Sequence, residues 1–341
     1  MKLTAALFLI ALVFPVCTLQ AGDTTCAKCH TNEARTQPQT AMARAMLEPG
    51  QNPVFRKHPK LTFDLGPYHY TVQQEGGRET YSVSDGKDTI TVPILWTFGR
   101  DMLTWVLDYN GQRYESLVTY YPAIDALDIT VGDNSIRPSN LLEAFGRHIE
   151  DTETNACFGC HSSAQVINDK LQLDNITRGV SCSHCHSGAE AHSTSILKGS
   201  LAGVPAKLKK LSAEDVSGFC GQCHRTWQMV VTNRWFGVSN VRFQPYRLAL
   251  SKCFDGVDRR MSCVACHNPH EEVVQNDRTY DARCLACHAN APRQKACPVS
   301  RDNCVSCHMP KVQLPGAHRP FTDHFVRVVK PGEPYLDHVA P

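Results

Sequence analysis

Apolar and β-branched residues alternate with polar ones along 68–74, 80–84, 89–95, 102–109 and 113–121, and Gly76-Gly77, Asp85-Gly86 and Asn110-Gly111 punctuate these runs. A period of two places one side-chain set on each face of a pleated strand, and such dipeptides supply the positive φ that tight hairpins need. An antiparallel β-meander is therefore predicted over about residues 61–132. Past residue 136 the alternation disappears. Short helices are predicted at 164–171, 206–211 and 227–236, separated by Gly, Pro and Asn. Pro310, Pro315, Pro320, Pro331 and Pro334 predict an extended tail.

At the start of the chain, Lys2 precedes an apolar run over 5–16 and a small-residue site at Leu19, Gln20 and Ala21. This is the pattern of a signal peptide over 1–21, cut after Ala21. The run is short for a bilayer, so no retained membrane span is expected, and the mature chain is expected in the periplasm or outside the cell.

Composition changes the picture at one residue type. The 341 residues include 17 Cys, far above ordinary use, which implies disulfides, metal sites or covalent cofactors. Spacing decides among these. CxxCH occurs at Cys26/Cys29/His30, Cys157/Cys160/His161, Cys182/Cys185/His186, Cys220/Cys223/His224, Cys263/Cys266/His267, Cys284/Cys287/His288 and Cys304/Cys307/His308. Two cysteines three apart can reach the two vinyl groups of one porphyrin, and the next imidazole then stands over the iron. Seven covalently attached c-type haems are expected, with those seven histidines as proximal ligands. Zinc ribbons also use CxxC pairs, but they do not require His after every second Cys. Besides Cys17 in the expected signal peptide, Cys253 and Cys297 remain, either joined as a disulfide or left as two separate buried thiols.

The expected class is α+β: a mainly helix-and-coil region wrapped on haem, with an inserted antiparallel β-region. The divisions are 1–21 (signal peptide), 22–55 (first haem-binding segment), 56–135 (β-region) and 136–341 (six-haem region with its tail over the last haems). Haem macrocycles would replace much of the usual apolar core there.

The formal net charge is +2 and no basic block suggests nucleic acid. Haem propionates would make the loaded protein net acidic by roughly five or more charges, favouring redox partners with a basic docking surface.

A low-spin electron-transfer haem needs a second axial ligand, whereas an open iron face permits catalysis or gas binding. His192 lies six residues after His186 and His270 three after His267, so the chain itself holds each close to a haem. His318 and His324 follow the last motif, and His148 precedes the second; these five histidines are candidate distal ligands. His58 and His69 read as surface residues of the β-region, His184 lies inside a motif, and His338 lies in the terminus.

The segments GVSCSHCHSGAEAH, MSCVACHNPH, NCVSCHMPK and FTDH resemble the multihaem c-type cytochrome family that includes the tetrahaem electron carrier of ammonia oxidisers and, more distantly, hydroxylamine oxidoreductase and octahaem reductases. The resemblance covers the haem-bearing part. It implies distal roles for His192, His270 and His324, and it implies a distal histidine about twelve residues after the first motif's His30. Met42 stands there instead, implying either a His/Met haem of raised potential or a haem with an open face.

Electron transfer between redox proteins is the favoured function, with a membrane quinol dehydrogenase or outer-membrane cytochromes as partners. The alternative is a multihaem oxidoreductase acting on a small nitrogen or sulfur compound at an open haem. Arg242, Tyr246 and Arg247 are then pocket candidates, unless the arginines pair with propionates. Every motif ends in His, which disfavours the lysine-ligated nitrite-reductase type. A cytochrome filament subunit is a third possibility.

Overall fold

A computed structural model describes residues 23–47, 50, 52–163, 166–167, 170–173, 176–200, 203–204, 207–289 and 297–337. The expected signal peptide and His338 lie outside these.

Two larger antiparallel sheets and one two-stranded sheet build the β-region. The first comprises β2 (Lys60–Leu65), β3 (Tyr68–Glu75), β4 (Arg78–Ser84) and β5 (Thr89–Pro93), paired in chain order. The register sets Tyr70 against Val83 and Tyr81 against Val92, so alternation buries Tyr70, Val72, Tyr81 and Val83 completely. On the other face, Ser82 and Thr91 share a hydroxyl hydrogen bond of 2.8 Å. Gly76 and Gly77 (φ 57° and 81°) turn β3 into β4. Positive φ at both central positions matches the right-handed twist of the flanking strands.

The second sheet has the order β1 (Met46–Leu47), β6 (Trp96–Phe98), β7 (Thr104–Tyr109), β8 (Gln112–Ser116), β11 (Gly146–Ile149); β9 (Val118–Tyr121) and β10 (Ala126–Ile129) pair beside it. Its two edge strands come from outside 56–135, so the β-region is stitched to the segments before and after it. Tyr81 meets Trp105 at 6.0 Å and Phe145 edge-on at 5.6 Å. The Tyr70 hydroxyl donates to the Ala144 carbonyl (2.9 Å), and that of Tyr81 to the Phe145 carbonyl (3.0 Å). Both carbonyls end the helix Leu141–Phe145, where the helix itself leaves acceptors open.

A separate apolar cluster of Met46, Trp96, Phe98, Val106, Ile149 and Phe158 forms the seam with the part that carries the CxxCH motifs. Phe158 takes Trp96 and Phe98 edge-on at 5.5 and 5.2 Å, and it lies in the helix Asp151–His161, which carries the second motif.

Beyond that seam the chain is short helices and coil. The stretch 164–171 is not a helix where described: Val166–Ile167 pairs with Lys170–Leu171. Over the described part of 206–211 the 3-10 turn Leu208–Lys210 forms, and at 227–236 the helix Trp227–Thr232. The tail pairs Lys311–Gln313 with Pro320–Thr322 before running on as coil. No helix among the described residues is long and apolar enough to cross a membrane.

Candidate haem-binding cavity

The CxxCH motifs end helices or helical turns. Asp151–His161, Ala213–His224, Asp281–His288 and Cys304–His308 each close on the motif histidine, and Cys182–Cys185 and Cys263–Cys266 stop one residue before it. In the first motif the His30 amide donates to the Cys26 carbonyl at 2.9 Å, the same i to i+4 turn. On a helix, positions i, i+3 and i+4 share one face, so the local fold gathers two sulfurs and an imidazole on one side.

Those faces converge on one cavity of about 2900 Å³. Ordinary ligand sites hold about 300–1,000 Å³, so this space suits several large cofactors. Its walls include every motif cysteine and histidine except Cys157, together with Met42, His184, His192, His270 and His324. Neighbouring motifs touch: the helix of the second packs on that of the fourth, the fourth on that of the fifth and the sixth on that of the seventh, with Cys160 beside Cys223, Cys220 beside Cys263 and Cys284 beside Cys304. Among the described residues no group of three or more His, Cys, Asp or Glu converges on a common point as a closed metal cage would.

The imidazoles are prepared for iron. His161 donates its Nδ1 proton to the Ala45 carbonyl (2.9 Å) and His308 to the Arg327 carbonyl (2.8 Å), leaving each Nε2 lone pair available. Burial holds the pKa of His161, His186, His224 and His267 below the ordinary histidine value, favouring the neutral, ligating form.

Two ring pairs face each other across the cavity. His186 and His270 lie with centroids 5.9 Å apart and planes 7° from parallel; His267 and His324 are 6.2 Å apart at 45°. A five-membered ring with bonds of about 1.33 Å has its centroid about 1.1 Å from each atom. Two imidazoles on opposite sides of one metal, each bonded at about 2.0 Å, therefore put their centroids about 6.2 Å apart. Both pairs have about that spacing. Burial, then the neighbouring His267, pushes His324 down to about 4. The donor set and spacing thus fit haem iron.

The structure sorts the remaining candidates. His270 faces the third motif's His186, and not the His267 of its own segment. His192 lines the cavity with its Nδ1 buried and without a hydrogen-bond partner among the described residues. Met42 also lines it, fixed by the Val180 amide donating to its carbonyl at 3.0 Å. His148 and His318 lie outside the lining: His148 stands on β11 against Tyr114 and Glu150, and His318 pairs with Asp128 (2.7 Å) against Tyr121. His58 is held by Asp125 at 2.8 Å, and His69 by Asp64.

Arg242, Tyr246 and Arg247 do not line the cavity either. Arg247 is fully buried on Asp323, and the Tyr246 hydroxyl donates to the Asp337 carbonyl. The Cys253 and Cys297 expectations are corrected: no disulfide joins them, and both thiols are exposed at the cavity rim instead of buried. Sequence reasoning missed Met102, Met261 and Met309, which also line the cavity. Proximity to a motif could have suggested the last two, whereas only the tertiary fold brings Met102 there.

Residues 134–187 match the family described as cytochrome c554 and c-prime, a stretch that holds the second and third motifs. No curated protein and no solved structure matches the chain. The match supports a c-type cytochrome with covalently bound haem, and with it a role in electron transfer.

Proposed function

We propose that the chain is an exported seven-haem c-type cytochrome that relays electrons between redox proteins. The observation that carries this reading is the single cavity walled by all seven motifs, in which the second motif touches the fourth, the fourth the fifth, and the sixth the seventh. Each attached haem supplies a one-electron iron couple whose potential the protein sets through axial ligands, burial and hydrogen bonds. Contact between attachment sites supports hopping from one to the next. The residues holding the haems are the fourteen motif cysteines and seven motif histidines, with His270 opposite His186 and His324 opposite His267 as second ligands. The net acidic loaded surface suits a basic partner, such as a quinol dehydrogenase or an outer-membrane cytochrome.

The test is the intact mass of the mature holoprotein, expected to carry seven haem additions; a smaller number overturns the seven-haem reading. Carbon monoxide titration of the reduced protein separates relay from enzyme. A relay with both faces of its irons filled binds none, while an oxidoreductase with an open haem binds one equivalent or more.

A further inference from the structure

One short stretch, residues 323–327, serves two haem sites at once. His324 turns its ring toward His267. Three residues on, the Arg327 carbonyl accepts the Nδ1 proton of His308. Residues 323–326 belong to neither helix nor strand, so no ladder fixes them.

A buried ion cluster fixes them instead. Arg247, in the helix Gln244–Ala249, is fully buried and grips Asp323 with two prongs, Nε to Oδ1 at 2.8 Å and Nη2 to Oδ2 at 2.9 Å. Arg327 donates to the same Oδ2 at 2.9 Å and to Glu333 at 3.2 Å. Asp323 is also fully buried; it accepts from the Phe325 amide (3.0 Å), and its own amide donates to the Pro310 carbonyl (2.9 Å). The Tyr335 ring covers the Arg247 guanidinium at 4.6 Å. The Val326 amide donates to the Ser251 hydroxyl at 2.8 Å, tying the same stretch to the end of Arg247's helix.

Burying Arg247 and Asp323, with Arg327 and Glu333 part-buried beside them, is costly, and an apolar cluster of similar volume is often as stable. What the ions add is geometry, because a forked guanidinium admits a carboxylate in few orientations. Asp323 immediately precedes His324, so the orientation of one sets the other. Neither Arg247 nor Asp323 lines the haem cavity, so both act through the chain.

We propose that Arg247 and Asp323 are positioning residues for two haem sites, locking residues 323–327 so that His324 faces His267 and the Arg327 carbonyl orients His308. The proposal rests on the reading of His324 as an axial ligand, and the experiment separates the two.

His324→Ala, Arg247→Gln and Asp323→Asn holoproteins are compared with the parent by electron paramagnetic resonance and carbon monoxide titration. His324→Ala is expected to gain one high-spin, carbon monoxide-binding haem per molecule. Arg247→Gln and Asp323→Asn are expected to gain part of that same signal, which free imidazole reverses, and to shift the potential of a second haem. Arg247→Lys keeps the charge without the fork and shows the same change more weakly; it decides the matter if Arg247→Gln does not fold. If His324→Ala gains a signal and the Arg247 and Asp323 variants match the parent, positioning is overturned. A loss spread evenly over all haems overturns it as well. If His324→Ala itself matches the parent, the axial-ligand reading fails instead.

Discussion

The imidazoles of His186 and His270 lie with centroids 5.9 Å apart and planes 7° from parallel, although they belong to different motif segments. Sequence proximity points to His192 as the partner of His186, and the fold brings His270 there instead. His270→Ala is therefore expected to create one carbon monoxide-binding haem at the Cys182/Cys185 site, whereas His192→Ala leaves that haem closed. Carbon monoxide difference spectra of the two variants check this, and the reverse pattern would return His192 to the position.

Met42 lines the cavity where the family resemblance implies histidine. A thioether ligand raises a haem potential relative to imidazole. Met42→His should lower the potential of one haem and leave the others in place, as read in a spectroelectrochemical titration. An unchanged titration removes Met42 from the ligand set.

Gly179 has φ +71°, and a Cβ there would lie 1.8 Å from the Ala43 carbonyl oxygen. The same neighbourhood holds Met42, and it holds Ala45, whose carbonyl accepts from His161. Gly179→Ala combines backbone strain with displacement of residues 42–45 and should cost about 1–3 kcal/mol. Denaturant unfolding measures the cost, and the spectrum of the haem at Cys157/Cys160 should change with it.

Asp133 is buried with Oδ2 unpartnered among the described residues, and burial, then Glu115, raises its pKa to about 6. A carboxyl with a raised folded pKa stabilises the fold in its protonated form. That contribution is complete below the unfolded value of 3.8 and is lost as the pH rises through about 6. At pH 7 the charged form costs about 2 to 3 kcal/mol, at 1.36 kcal/mol per unit. Asp133→Asn should therefore stabilise the protein by about that much at pH 7 and hardly at pH 4, as read from unfolding midpoints at the two pH values.

Tyr81 is fully buried and its hydroxyl donates to the Phe145 carbonyl at the end of the helix Leu141–Phe145. Tyr81→Phe leaves the Phe145 carbonyl without its donor and should cost about 1–2 kcal/mol. Haem spectra should stay as in the parent, because this core is separate from the cavity.

The sequence by itself determined what is local. The CxxCH spacing equals the i, i+3, i+4 face of a helix, so each proposed haem attachment site is legible in five residues. The strands at 68–75 and 78–84 were equally legible, because alternation and a Gly-Gly turn act between neighbours in the chain. The tertiary structure decided everything that depends on distant residues meeting. It chose His270 for His186, drew His148 and His318 into contacts with the β-region, and left Cys253 and Cys297 apart. It also recruited β1 and β11 from outside the meander and turned Arg247 into a buried partner of Asp323. A haem's proximal ligand comes with its motif. Its distal ligand can come from anywhere the fold can reach, and only packing fixes which side chain arrives.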